Sequence, residues 1–291
     1  MRSNFFSATI WSVSFLVSLA APTALAQSPD EDEIVVIGQS LRDQIVDFVN
    51  EMSAPVPAER QIGRWDRRIC PGVAGIDTEV ARAIIDRMAS RAAGLGLVTE
   101  PPGCDANIII YFVPDGRAFA QAVIDRFGVR FRNPPGGVRA PTRQDMRAFV
   151  EPEKPVRWLH VSEIMTYDGQ YTLQGVGASY GIPPSRLRRS TRQDFSTVLL
   201  VVETGAAAGL SAHTLGDYLA LVSLAHIAPD ATPPLGASIL TIFENPRGPT
   251  ALTDWDTAFL SGVYAARRTA RVSSSQARDI MVQMERTLTP E

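Results

Sequence analysis

Two cysteines occur in this chain of 291 residues, Cys70 and Cys104, and both sit beside turn residues, in Ile69-Cys70-Pro71-Gly72 and Pro102-Gly103-Cys104-Asp105. Bonded to each other, they restrict everything between them to topologies that bring the two turns together. The pair lacks the close C-x-x-C spacing of a redox or metal-binding thiol site. Whether the thiols bond depends on compartment, and the N-terminus bears on that. Met1 and Arg2 precede an apolar run from Phe5 to Leu19, and Ala24-Leu25-Ala26 makes a small-x-small cleavage site before Gln27. Those are the marks of a secretory signal peptide over residues 1–26. Ser7, Thr9, Ser12 and Ser14 interrupt the run, which falls short of the roughly 20 apolar residues of a membrane span. No later segment is long and apolar enough to cross a bilayer, so a periplasmic or secreted location is expected. There Cys70 and Cys104 pair. Closing their loop contributes about 4 kcal/mol in the chain-entropy model.

Cleavage after Ala26 leaves about 265 residues, enough for one large domain or two small ones. The polar, acidic stretch 27–33 reads as a flexible leader, and 34–291 as a single domain. The net charge of −3 gives no electrostatic case for nucleic acid. Of the 28 lysines and arginines only Lys154 is lysine, a bias that points to genome composition more than to anion chemistry.

Glu33-Ile34-Val35-Val36-Ile37-Gly38 has strand character. It resembles the TonB box of outer-membrane receptors, but the chain is too short for a receptor barrel. Apolar spacing predicts a helix over 41–52. Residues 61–127 read strand, helix, strand, helix: a strand over 61–70, a helix capped by Asp77 and ended at Gly94 and Gly96, a buried strand over 107–113, and a helix over 116–127. This stretch is a candidate α/β sub-half. Residues 128–155 are rich in Arg and Pro and are expected to be a loop with one short helix at 143–149. Strands are expected at 156–165, 170–179 and 195–203. The last ninety residues are helical. Leu215–Ile227 has almost no polar face, which marks a buried helix. Thr253 with Asp256, and Ser273 with Gln276, resemble capping boxes for two more. The expected fold class is α+β, a mixed sheet with packed helices and a helical C-terminal third.

Gly177-Ala178-Ser179-Tyr180-Gly181 satisfies G-x-S-x-G, and Asp194 with His213 or His226 follow in triad order. That chemistry needs a helix straight after the serine, where Pro183-Pro184 stand instead. The three histidines, His160, His213 and His226, form no H-E-x-x-H motif, so no metal or cofactor is expected. His213 and Asp217 share a helical face, and His160 and Trp158 share a strand face. Among the carboxylates Glu151, Glu153, Glu163, Asp168 and Glu203, Glu203 closes the strongest late strand. Low-ranking catalytic candidates are thus Glu203, Asp217, His213 and Ser179. Arg130, Arg132 and Arg139, and separately Arg186, Arg188 and Arg189, offer anion-binding runs if they converge in space.

Thr214-Leu215-Gly216-Asp217-Tyr218-Leu219-Ala220, Ala237-Ser238-Ile239-Leu240-Thr241-Ile242-Phe243 and Leu252 to Tyr264 together resemble a family of uncharacterised exported proteobacterial proteins that look like degenerate zincin metallopeptidases. The resemblance implies a zincin-like shape without its metal: Asp217 stands at the catalytic Glu position, while the histidine positions fall on Gly216 and Ala220. The expected function is a non-catalytic binding or accessory protein with an envelope protein or anionic ligand as partner. The alternatives are an envelope hydrolase using carboxylates or Ser179, and a complex subunit docking through Arg/Pro-rich loops.

Overall fold

The computed structural model describes residues 39–54, 61–132, 138–139, 141–151, 153–170, 188–234, 236–245 and 247–289, without the side chains of 129–132 and 138–139. The signal peptide, the leader, the 34–38 run, the expected strand over 171–179, Ser179 and Arg186 lie outside the described residues.

β1 (Pro71–Ala74), β2 (Ile108–Val113), β3 (Val138–Arg139), β4 (Val156–Thr166) and β5 (Thr191–Glu203) form one mixed sheet in the order β1-β2-β5-β4-β3. β1, β2 and β5 run parallel; β5 to β4 and β4 to β3 are antiparallel. The β-branched run of β2 suits a central strand covered on both sides. Ile108, Ile110 and Phe112 join Val198, Leu200 and Val202 of β5 in the larger core. On the other face Val201 and Leu159 pack with Ala120 and Phe149, which belong to α3 (Gly116–Arg132) and α4 (Arg143–Val150). The larger core is built by α1 (Leu41–Met52), α2 (Thr78–Gly94), α6 (Ala212–Leu224), α7 (Asp254–Ala265) and α8 (Ser273–Leu288). A one-turn α5 (Thr204–Ala207) leads out of β5. The fold is α+β with a helical C-terminal third. Among the described residues no helix is long and apolar enough to cross a membrane.

Cys70 and Cys104 are bonded, with 6.1 Å between their Cα atoms. The bond ties the lead-in of β1 to the turn before β2. Asp77 caps α2 by accepting the Glu79 and Val80 N–H groups, and Thr253 with Asp256 closes a capping box on α7, as their spacing predicts.

Three local expectations fail, the first two because tertiary partners compete. Residues 61–70 form no regular strand. They cross the interior in extended form with bridges only at Arg64 and Ile69, because their polar groups find partners elsewhere. The Gln61 amide donates to the Thr191, Arg268 and Ala270 carbonyls, and the Trp65 indole donates to Ser223 at 2.8 Å. The first turn of α8 has no capping box. Val272 is the N-cap without a side-chain bond, and Gln276 turns inward to accept the Ile62 N–H at 2.7 Å. Finally, α3 continues to Arg132, so Arg130 and Arg132 belong to a helix, and Arg139 to β3, where a loop was expected.

α6 is buried all round from Thr214 to Leu224. α2 lies close against it because position 216 is glycine: a Cβ there would stand 2.7 Å from the Arg87 Cβ.

Candidate functional site

That close approach fixes the surroundings of Asp217. Its carboxylate is fully buried and receives two forks: Arg87 Nε and the terminal guanidinium nitrogen at 2.7 and 2.8 Å, and Arg91 in the same way at 2.7 and 2.8 Å. The two arginines are one turn apart on α2. The Leu252 N–H adds a fifth bond at 3.1 Å. Burial alone would raise this acid, but the bonds from Arg91, Arg87 and Leu252 outweigh it and hold Asp217 down to about 2. A carboxylate so fully engaged cannot act as a general base near neutral pH. His213, one turn earlier, is exposed. Asp217→Ala is expected to cost about 3 kcal/mol, the low end for breaking a buried pair, since both arginines are partly exposed and can turn to solvent. Arg91→Ala is expected to cost less, because Arg87 stays. Urea midpoints of the two variants check this ranking.

Glu203 lies apart from that cluster, at the carboxyl end of β5. Its partner is the buried Arg157, 3.8 Å away, and it packs against the start of α3, where a Cβ on Gly116 would lie 2.9 Å from it. Glu153 pairs with Arg117 at 3.2 Å. Glu203, His213 and Asp217 therefore do not share a partner or a cleft. The two carboxylates that burial pushes upward, Asp194 and Asp256, are pinned by Arg192 and by the α7 capping box. Among the described residues no group of three His, Cys, Asp or Glu side chains is disposed to hold a metal.

His160 and His226 meet inside the protein. Their ring centroids are 5.1 Å apart, and His160 stacks on Phe195 at 4.8 Å. His160 Nε2 lies 2.9 Å from the Val222 carbonyl, and Trp158, on the same strand face, donates to Ile227. The expectation of a hydrogen-bonded sheet histidine thus holds. The Nδ1 atom of His226 is buried with no hydrogen-bond partner. Both rings are held neutral: burial, then the His226 neighbour, lowers His160 to about 3, and burial lowers His226 to about 4.

The arginines behave differently. Arg188 bridges Ala270. The Arg189 N–H donates to Thr269, and its Nε donates to Arg271, both at 2.8 Å. The arginine run before β5 is thereby stitched to the loop between α7 and α8, which carries Arg267, Arg268 and Arg271. Beneath them Arg192 pairs with Asp66 and Asp194, and Arg268 also pairs with Asp66. Arg64 donates to the Val263 and Ala266 carbonyls at 2.5 and 3.1 Å and lies over the Tyr264 ring. Seven arginines (64, 188, 189, 192, 267, 268 and 271) thus gather with Asp66, Asp168, Asp194 and Asp279; the charge of Arg192 acts on Asp168, and Asp279 pairs with Arg267. Burial and then the charge of Arg268 lower Arg64 to about 10. The sequence offered Arg188 and Arg189 as one run; their partners 80 residues later carried no local signal. The side chains of Arg130, Arg132 and Arg139 are not among those described.

The fold and this surface define a disulfide-stapled α+β protein with a basic ledge at the start of β5, the middle strand of its sheet. No family model, curated protein or solved structure matches the chain.

Proposed function

We propose that the chain is an exported, non-catalytic binding protein that docks an acidic protein segment on the arginine ledge. The observation that carries this reading is the union of the 188–192 and 267–271 arginines, an excess of positive charge in a chain of net charge −3. Opposite charge on a partner raises the encounter rate and fixes its register. The ledge's exposed members, Arg188 and Arg271, belong to two segments stitched side by side, a spread of charge suited to an extended polypeptide. The disulfide agrees with an oxidising compartment, and the signal-peptide features of residues 1–26 supply the route. The doubly forked state of Asp217 weighs against a hydrolase built on that carboxylate. On the same reading α6 is a zincin-type helix that has lost its ligands: Ala220 is buried in the core, and Gly216 is closed off by Arg87.

The test is fluorescence anisotropy with a labelled oligoglutamate peptide. Wild type is expected to bind it. Arg188→Glu with Arg271→Glu is expected to weaken binding by at least about tenfold, each reversal replacing an attraction by a repulsion. Equal binding by wild type and the double variant, or none by wild type, would remove the ledge from the account.

A further inference from the structure

A recess of about 400 Å³ lies beside the start of β4, lined among others by Lys154, Trp158, Ala206, Tyr218, Phe243 and Glu244. Ala206, just past the end of β5, places it near the carboxyl ends of the parallel strands, where open α/β sheets receive ligands. Its volume falls within the roughly 300–1,000 Å³ of small-molecule sites.

Two polar groups in it retain hydrogen-bonding capacity. Tyr218 is 5% exposed, yet its hydroxyl has no hydrogen-bond partner among the described residues. A buried phenol ordinarily finds one, and in this fold the others do: Tyr264 donates to the Leu224 carbonyl at 2.8 Å, and the indole of Trp158 to Ile227. Thr232, also at the recess, is held by Glu51. The second group is the ammonium of Lys154, the chain's single lysine. It donates to the Pro229 carbonyl, which leaves two of its three donors. Glu244 lies close enough for its charge to act on both Lys154 and Tyr218. Tyr218 and Phe243 stand edge to face at 5.2 Å, forming an aromatic wall.

We propose that this recess binds a small zwitterion with an apolar body, the chemistry of a free α-amino acid bearing an aromatic or branched side chain. Lys154 and the Tyr218 hydroxyl hold its carboxylate, Glu244 pairs with its ammonium, and Trp158, Tyr218 and Phe243 enclose its side chain. A simple organic anion would leave Glu244 facing it uncompensated, and a simple amine would meet Lys154.

The experiment is isothermal titration of the signal-free chain with L-phenylalanine, L-leucine, 3-phenylpropanoate and 2-phenylethylamine. At least one of the two amino acids is expected to bind at one equivalent, and its counterparts lacking one charge at least about tenfold more weakly, a difference of 1.4 kcal/mol. Tyr218→Phe is expected to weaken binding while leaving the melting temperature unchanged, since the hydroxyl has no hydrogen-bond partner among the described residues. Lys154→Met is expected to abolish binding. Failure of both amino acids to bind, equal binding of the phenylalanine analogues that lack one charge, or full affinity in Tyr218→Phe would overturn the proposal. None of the ledge arginines lines the recess, so its failure leaves the ledge reading intact, and the reverse.

Discussion

Lowering the pH from 7 to 4 is expected to remove on the order of 5 kcal/mol of stability, and the double variant His160→Gln, His226→Phe is expected to lose little over the same range. Both imidazoles sit neutral in the fold, at about 3 and about 4, against about 6.5 for an unfolded histidine. The unfolded chain therefore binds more protons as pH falls below 6.5. Stability is complete above that value, declines through the window from 6.5 to about 3, and levels off once both folded-state rings protonate. His226 has no partner for Nδ1, so a proton there gains no hydrogen bond to offset burial. Asp217 adds its own loss only below the usual carboxylate range, as pH falls toward about 2, and so does not blur the histidine window. Urea midpoints at pH 7 and pH 4 for the two proteins measure the difference. An equal acid loss in both would place the sensitivity elsewhere.

The second large effect is covalent. Cys70→Ser with Cys104→Ser is expected to cost about 4 kcal/mol, because the 34-residue separation frees a long loop in the unfolded ensemble. That loop contains α2, whose Arg87 and Arg91 clamp Asp217 on α6. Denaturant midpoints of oxidised wild type and the double-serine variant measure the cost. A shift below about 1 kcal/mol would show that the unfolded chain already keeps the loop ends close without the bond.

What was legible in the sequence divides along a physical line. Local signals read correctly: the Ile-rich run of β2, the helix starts at Asp77 and Thr253, the all-apolar α6, and the turn-flanked cysteines. Each depends on neighbours within a few residues. What failed depends on distant partners. Residues 61–70 have strand composition, but Gln61 and Trp65 bond to carbonyls 130 and 158 residues away. Gln276 has the spacing of a capping residue but serves Ile62. The site followed the same rule. Asp217 stands out in the sequence by its position on α6, yet its role comes from two arginines on α2. Arg188 and Arg189 form a run in the sequence, yet the ledge exists only because the α7–α8 loop lies beside them. Lys154 and Tyr218 gave no motif at all; burial and an unused hydroxyl single them out.

The most direct test of a binding role for the ledge is the salt dependence of oligoglutamate affinity for the wild-type protein. Exposed arginines attracting a polyanion lose affinity as the screening length shrinks from about 10 Å at 0.1 M salt. The account predicts a dissociation constant that rises at least about tenfold between 0.05 and 0.3 M salt, with a shallower rise when Arg188 and Arg271 are replaced by alanine. An affinity that does not change with salt, or a rise identical in the alanine variant, would contradict it.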